Sequence, residues 1–140
     1  MRSLSIVILN VALCSLSSVS AAPSHNSIGN GRQSFRRIKR FWGLSTYYEV
    51  GSGSCGEYDN DSELVVALNR DQMANGPNPN TNPNCDHMVF ISGDSGSTTA
   101  RIVDTCPSCP SGTLDMSPSV YERVCGSLES GVCTIRWNFI

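Results

Sequence analysis

The chain has 140 residues, 16% charged and 39% hydrophobic, with a formal net charge of −2. Six of its ten Lys and Arg lie at or before Arg40, and all twelve acids lie after it, so the stretch from Phe41 onward carries −8 with four arginines and no lysine. A surface this acidic excludes nucleic acid and anionic membranes, which are bound through a basic face, and suits uncharged glycans or a basic extracellular protein.

Met1 to Ala21 reads as a secretory signal peptide. Arg2 supplies the positive start, Leu4 to Leu16 is mostly apolar, and Val19-Ser20-Ala21 is a small-residue cleavage pattern. Its apolar run falls short of the about 20 residues that a membrane span needs. Residues 22–40 are polar and poor in apolar side chains, a composition that cannot bury enough surface to fold. That segment ends in Lys39-Arg40, a basic pair that predicts removal of a propeptide and a mature chain beginning at Phe41. The alternative is a basic arm that binds polyanions. Residues 41–140 form one small domain.

Cys14 departs with the signal peptide and leaves Cys55, Cys85, Cys106, Cys109, Cys125 and Cys133. An even count in a small exported domain predicts disulfides, with 15 possible pairings for six cysteines. The favoured set is Cys55–Cys85, Cys106–Cys109 and Cys125–Cys133. Cys106-Pro107-Ser108-Cys109 has two rival readings, a redox dithiol and half a zinc site. Pro107 and Pro110 oppose the helix a redox dithiol wants, and nothing repeats the spacing that zinc wants. No cofactor or metal is expected.

Within the domain, Ser45–Val50 predicts a short strand, and Gly51, Gly53 and Gly56 a turn around Cys55. Glu63–Leu68 is a nearly continuous apolar strand, and Arg70–Ala74 a helical turn. Asn75–Asn84, almost all Asn, Pro, Thr and Gly, is a loop. Met88–Ile91 and Thr98–Thr105 are strands around a turn at Ser92–Gly96. Ser117-Pro118 starts a helix to about Val124, with Ser117 as N-cap and Pro118 at the first helical position. Val132–Ile140 is a final strand with Ile135, Trp137 and Phe139 on one face. Short strands, one helix and Gly/Pro turns predict a small closed barrel or sandwich.

Four motifs carry a resemblance. They are Tyr47-Tyr48 before Gly53-Ser54-Cys55-Gly56, then Val66-Ala67-Leu68-Asn69, then Ile102 to Cys109, then Leu114-Asp115-Met116-Ser117-Pro118. In this order they resemble secreted fungal RlpA-like double-psi β-barrel proteins, relatives of barwin, expansin domain 1 and certain endoglucanases. The resemblance covers Ser45 to Trp137. It implies a mainly β fold, a six-stranded double-psi barrel with one or two short helices and an open groove. It implies that Asp104 matches the acid of lytic members, and Asp115 the acid of expansins and endoglucanases. Tyr48 and Tyr47 match the strand that lines the groove. Lytic members carry a histidine where this chain has Asn69. Endoglucanases place a base on the first strand, where this chain has Glu49 and Val50.

The expected binding groove is therefore Tyr48, Asn69, Asp104 and Asp115. The two acids are catalytic only if the protein is an enzyme, and Asn69 in place of histidine argues against that. His87 reads as a surface loop residue, and Asn60-Asp61-Ser62 as a glycosylation sequon. Three functions follow in order of preference. The first is a secreted, monomeric, non-hydrolytic cell-wall or carbohydrate-binding barrel. The second is a protein-binding module such as a protease inhibitor or effector. The third is a glycan-cleaving enzyme.

Overall fold

A computed structural model describes residues 37–140. The expected signal peptide, and the expected propeptide up to residue 36, lie outside the described residues. Among the described residues six strands form: β1 (Phe41–Tyr47), β2 (Val65–Asn69), β3 (Met88–Ser92), β4 (Ser97–Cys106), β5 (Leu114–Met116) and β6 (Cys133–Phe139). They close in the order β1-β5-β2-β4-β3-β6. The β1–β5 and β2–β4 pairs are parallel and the rest antiparallel. This is the double-psi β-barrel that the resemblance implies. No helix among the described residues is long and apolar enough to cross a membrane.

Alternation puts Val66, Leu68, Ile91, Ile102, Leu114 and Ile135 inside, all fully buried. Each such side chain contributes about 1.5–3 kcal/mol on burial. Two α-helices are present among the described residues, α1 (Arg70–Met73) and α2 (Pro118–Cys125). Helix α2 packs against β1, β4, β5 and β6, and its Val120, Tyr121 and Val124 are fully buried. The Ser117 hydroxyl accepts from the Val120 amide at 3.3 Å, with Pro118 at the helix start, as the sequence predicts.

Two strands depart from expectation. β1 begins at Phe41, four residues early, because Phe41–Ser45 pair with β6 and the Phe41 ring stacks on Trp137 at 4.4 Å. β5 has no counterpart in the sequence reading. Its three residues are too few to show alternation, and their partners, Val66–Leu68 and Thr46–Tyr47, are far away in the chain. The Asn75–Asn84 loop also contains a 3₁₀ turn at Pro79–Thr81, capped by Asn78.

Disulfides join Cys55–Cys85, Cys106–Cys109 and Cys125–Cys133. The first spans 30 residues. In the chain-entropy model a loop of that length contributes about 3.5 kcal/mol.

Candidate functional site

The register places the two acids. β2 lies between β4 and β5, and its Ala67 pairs with Asp104 on one side and Asp115 on the other. Asp115 in turn pairs with Thr46 on β1. Residues opposed across a sheet share a face. Thr46, Asp115, Ala67 and Asp104 therefore form one row on the outside of the barrel.

Asp104 reaches that face through a bulge. Ile102 points into the core, so plain alternation would turn Asp104 inward as well. The β2–β4 register shifts between Val66 and Ala67, opposing Ala67 to Asp104 and skipping Val103. The extra residue re-aims the carboxylate outward. The loop around Cys55 crosses this bulge closely. A Cβ on Gly53 would overlap the Val103 carbonyl oxygen, and the Cys55 amide donates to that oxygen at 3.1 Å. Asp104 Oδ1 accepts from the Ser54 amide at 2.8 Å and its neighbour Thr105's amide at 2.7 Å. Asp104 thus fastens the loop as well as facing outward.

Asp115 Oδ1 accepts from Thr46 Oγ1 at 2.6 Å. Burial pushes its carboxyl above the usual carboxylate range; the Thr46 bond opposes this and the Asp104 charge adds to it. Half-buried Tyr48 donates its amide to the Met116 carbonyl at 3.0 Å. Its hydroxyl is pushed above the ordinary phenol value by burial first, then by Asp104 and Asp115. Tyr48, Asp104 and Asp115 are therefore one electrostatic neighbourhood.

Asn69 does not join them on the surface. It is fully buried, where its side chain caps α1 by accepting from the Gln72 amide at 3.1 Å. Its amide nitrogen donates to Gln72 Oε1 at 2.6 Å and to the Thr113 carbonyl at 3.0 Å. A side chain enclosed this way cannot touch a ligand, which corrects its expected place in the groove. Tyr47 leans edge-on against Tyr121 at 5.0 Å, Glu49 is exposed, and exposed His87 packs against Phe139. Asn60 is exposed and bonded to Glu63 and Ser62.

A hollow of about 180 Å³ lies beside Asp115, lined by Leu44, Thr46 and the Cys106–Cys109 disulfide among others. Both sulfurs and an Asp115 oxygen lie within 4.8 Å of one another. The sulfurs are bonded to each other, so neither offers the thiolate that zinc requires. The sequence reading missed Trp42 and Leu44, which are 75% and 64% exposed on the outer face of β1. Alternation along Phe41–Thr46 was the available signal. Trp42 lines a larger hollow of about 350 Å³ with Arg40, Phe41, Thr134 and Arg136. The sequence reading also missed Arg101, whose guanidinium binds Glu57 at 2.6 Å, Asp86 at 2.8 Å and nearly buried Asp59. As a whole, the arrangement offers outward hydrogen-bond acceptors, an apolar ridge on β1 and a rigid disulfide wall.

No family model matches the chain. A papain inhibitor from Streptomyces mobaraensis is 31% identical over 106 residues, which cover 73% of this chain and 73% of that protein. The solved structure of the Streptomyces papain inhibitor matches with a TM-score of 0.66 at 30% identity, covering 74% of this chain and 96% of that one. A point variant of Clavibacter michiganensis expansin, solved in complex with cellohexaose, matches with a TM-score of 0.60 at 19% identity. That match covers 73% of this chain and 50% of the expansin, a likeness of fold. From its identity to the first of these across most of both chains, together with the shared double-psi β-barrel, this chain belongs to the family of the Streptomyces papain inhibitor.

Proposed function

We propose that the domain is an extracellular, protein-binding inhibitor of papain-like cysteine proteases. The carrying observation is the 31% identity to a papain inhibitor over 73% of each chain. This reverses the order of preference drawn from the sequence, where carbohydrate binding came first. Physical features support it. An inhibitor must present a firm surface and survive contact with a protease. The closed barrel leaves few open strand edges, and three disulfides hold its loops. Trp42 and Leu44 project from β1 as apolar anchors, and Trp is enriched among residues that dominate interface energies. Asp104 Oδ1 and Asp115 Oδ1 already hold protein donors, an arrangement suited to scaffold as much as to chemistry. Paired cysteines fit an oxidising compartment outside the cell.

A second reading, glycan binding, is favoured by the Thr46–Asp115–Ala67–Asp104 row with Tyr48 at its side. An expansin of the same fold holds cellohexaose. Parallel assays separate the two readings: residual papain activity on a small chromogenic peptide, and retention of the protein on insoluble cell-wall polysaccharides. Loss of papain activity without retention supports inhibition. Retention with papain untouched overturns it in favour of the glycan reading.

A further inference from the structure

Arg37 to Arg40 lead into the barrel. All four are exposed and none belongs to a helix or strand. Every acid in the chain lies after Arg40, and every ion pair among the described residues is made by Arg101. Lys39 and Arg40 therefore have no carboxylate partner. Lys39 Nζ sits 5.1 Å above the Phe41 ring on the surface. An endoprotease that cuts after a basic pair reads the side chains on the amino-terminal side of the cut, and here those side chains are open to it.

The carboxyl-terminal side is set up differently. The β1–β6 ladder begins at Phe41 opposite Trp137. The opposite edge of β1 pairs with β5 only at Thr46 and Tyr47. The first residues of β1 are thus held by one ladder, and fraying at its end admits the bond before Phe41 to a cleft. A cut there removes no ladder pair. Arg70, Arg101, Arg123 and Arg136 stand singly, so no second basic pair follows.

We propose that the Arg40–Phe41 bond is a processing site for a basic-pair-specific endoprotease, and that cutting it remodels the face around Trp42 and Arg136. Water adds across the amide, leaving a carboxylate on Arg40 and an ammonium on Phe41. Arg40 lines two hollows, one of about 350 Å³ with Trp42 and Arg136, the other of about 230 Å³ with Phe90, Arg136, Trp137 and Asn138. Release of Arg40 takes away one of the two residues that line both, leaving Arg136. The Phe41 ammonium then stands at the mouth beside Arg136.

The test uses the full chain secreted from a host with an active basic-pair endoprotease. Intact mass and amino-terminal sequencing of the secreted protein should give a single form beginning Phe-Trp-Gly-Leu. Its melting temperature should stay within about 2 °C of the uncut form, as expected when no ladder pair is lost. In a ¹H–¹⁵N spectrum the indole resonance of Trp42 should move. Backbone amide resonances on strands away from the cut, such as those of Ala67 on β2 and Asp115 on β5, should stay. The Lys39→Ala/Arg40→Ala double variant should fold with the same disulfides and keep its upstream residues. A secreted form that starts before Phe41, a cut after Arg37, or a cut that unfolds the barrel overturns the assignment. An unmoved Trp42 resonance overturns the remodelling.

Discussion

Replacing Arg101 with methionine keeps the apolar stem and deletes the guanidinium that gathers Glu57, Asp59 and Asp86. Glu57 and Asp86 are 57% and 63% exposed, so each lost pair costs no more than about 1 kcal/mol. Asp59 decides the outcome. Its side chain is 3% exposed, and its Oδ2 already lacks a hydrogen-bond partner. Removing the partner of a buried charge costs about 3–5 kcal/mol. For a domain near 100 residues that lowers the melting temperature by at least about 12 °C.

The loss should depend on pH. Burial pushes the Asp59 carboxyl up, and Arg101 pulls it down. Without Arg101 the folded state holds the Asp59 proton more tightly than the unfolded chain does. Such a group contributes stability below its unfolded pKa and loses it as pH rises through the folded value. The penalty should be full at pH 7 and shrink toward pH 4. Urea unfolding with disulfides intact, run at both values, measures it. Arg101→Met/Asp59→Asn should recover much of the loss at pH 7. A loss below about 1 kcal/mol, or the same loss at both pH values, refutes the reasoning.

Asp115→Asn should raise stability at pH 7 by roughly 0.4–1.7 kcal/mol, the repulsion of two like charges about 10 Å apart at effective dielectrics between ~80 and ~20. Its folded carboxyl is pushed up, so the gain should vanish as pH falls below the ordinary carboxylate range; urea unfolding from pH 7 to pH 3 would show it. Asp104→Ala leaves the Ser54 and Thr105 amides without their acceptor and should cost about 2 kcal/mol, while Asp104→Asn, which still accepts, should cost about half as much. Equal costs in thermal melts would show that the loop is not fastened there. Gly53→Ala drives a methyl group against the Val103 carbonyl oxygen and should destabilise by about 1–3 kcal/mol, readable in the same melts.

The barrel was legible where strands were long and one-faced. Val132–Ile140 showed its period of two, and Ser117-Pro118 marked the α2 start to the residue. β5 was not legible, since three residues carry no period and both of its ladders are long-range. Asp104 and Asp115 could be named from their motifs. Their shared row depends on a bulge at Val66/Ala67 that leaves no mark in the residue types. Asn69 was misplaced because a matched motif position does not reveal burial. Here its amide went to capping α1 and holding Thr113. Arg101 was passed over because its partners, Glu57, Asp59 and Asp86, meet it only after the loops fold back onto β4.

The inhibitor reading is tested most directly by titrating papain of known active-site concentration with the purified, disulfide-intact domain and following hydrolysis of a small peptide substrate. The account predicts loss of activity that reaches completion, with a Ki below about 1 µM, equivalent to roughly −8 kcal/mol of binding. Trp42→Ala should weaken it at least about tenfold, or roughly 1.4 kcal/mol, without lowering the melting temperature. Full papain activity at a hundredfold molar excess of folded domain would contradict the account.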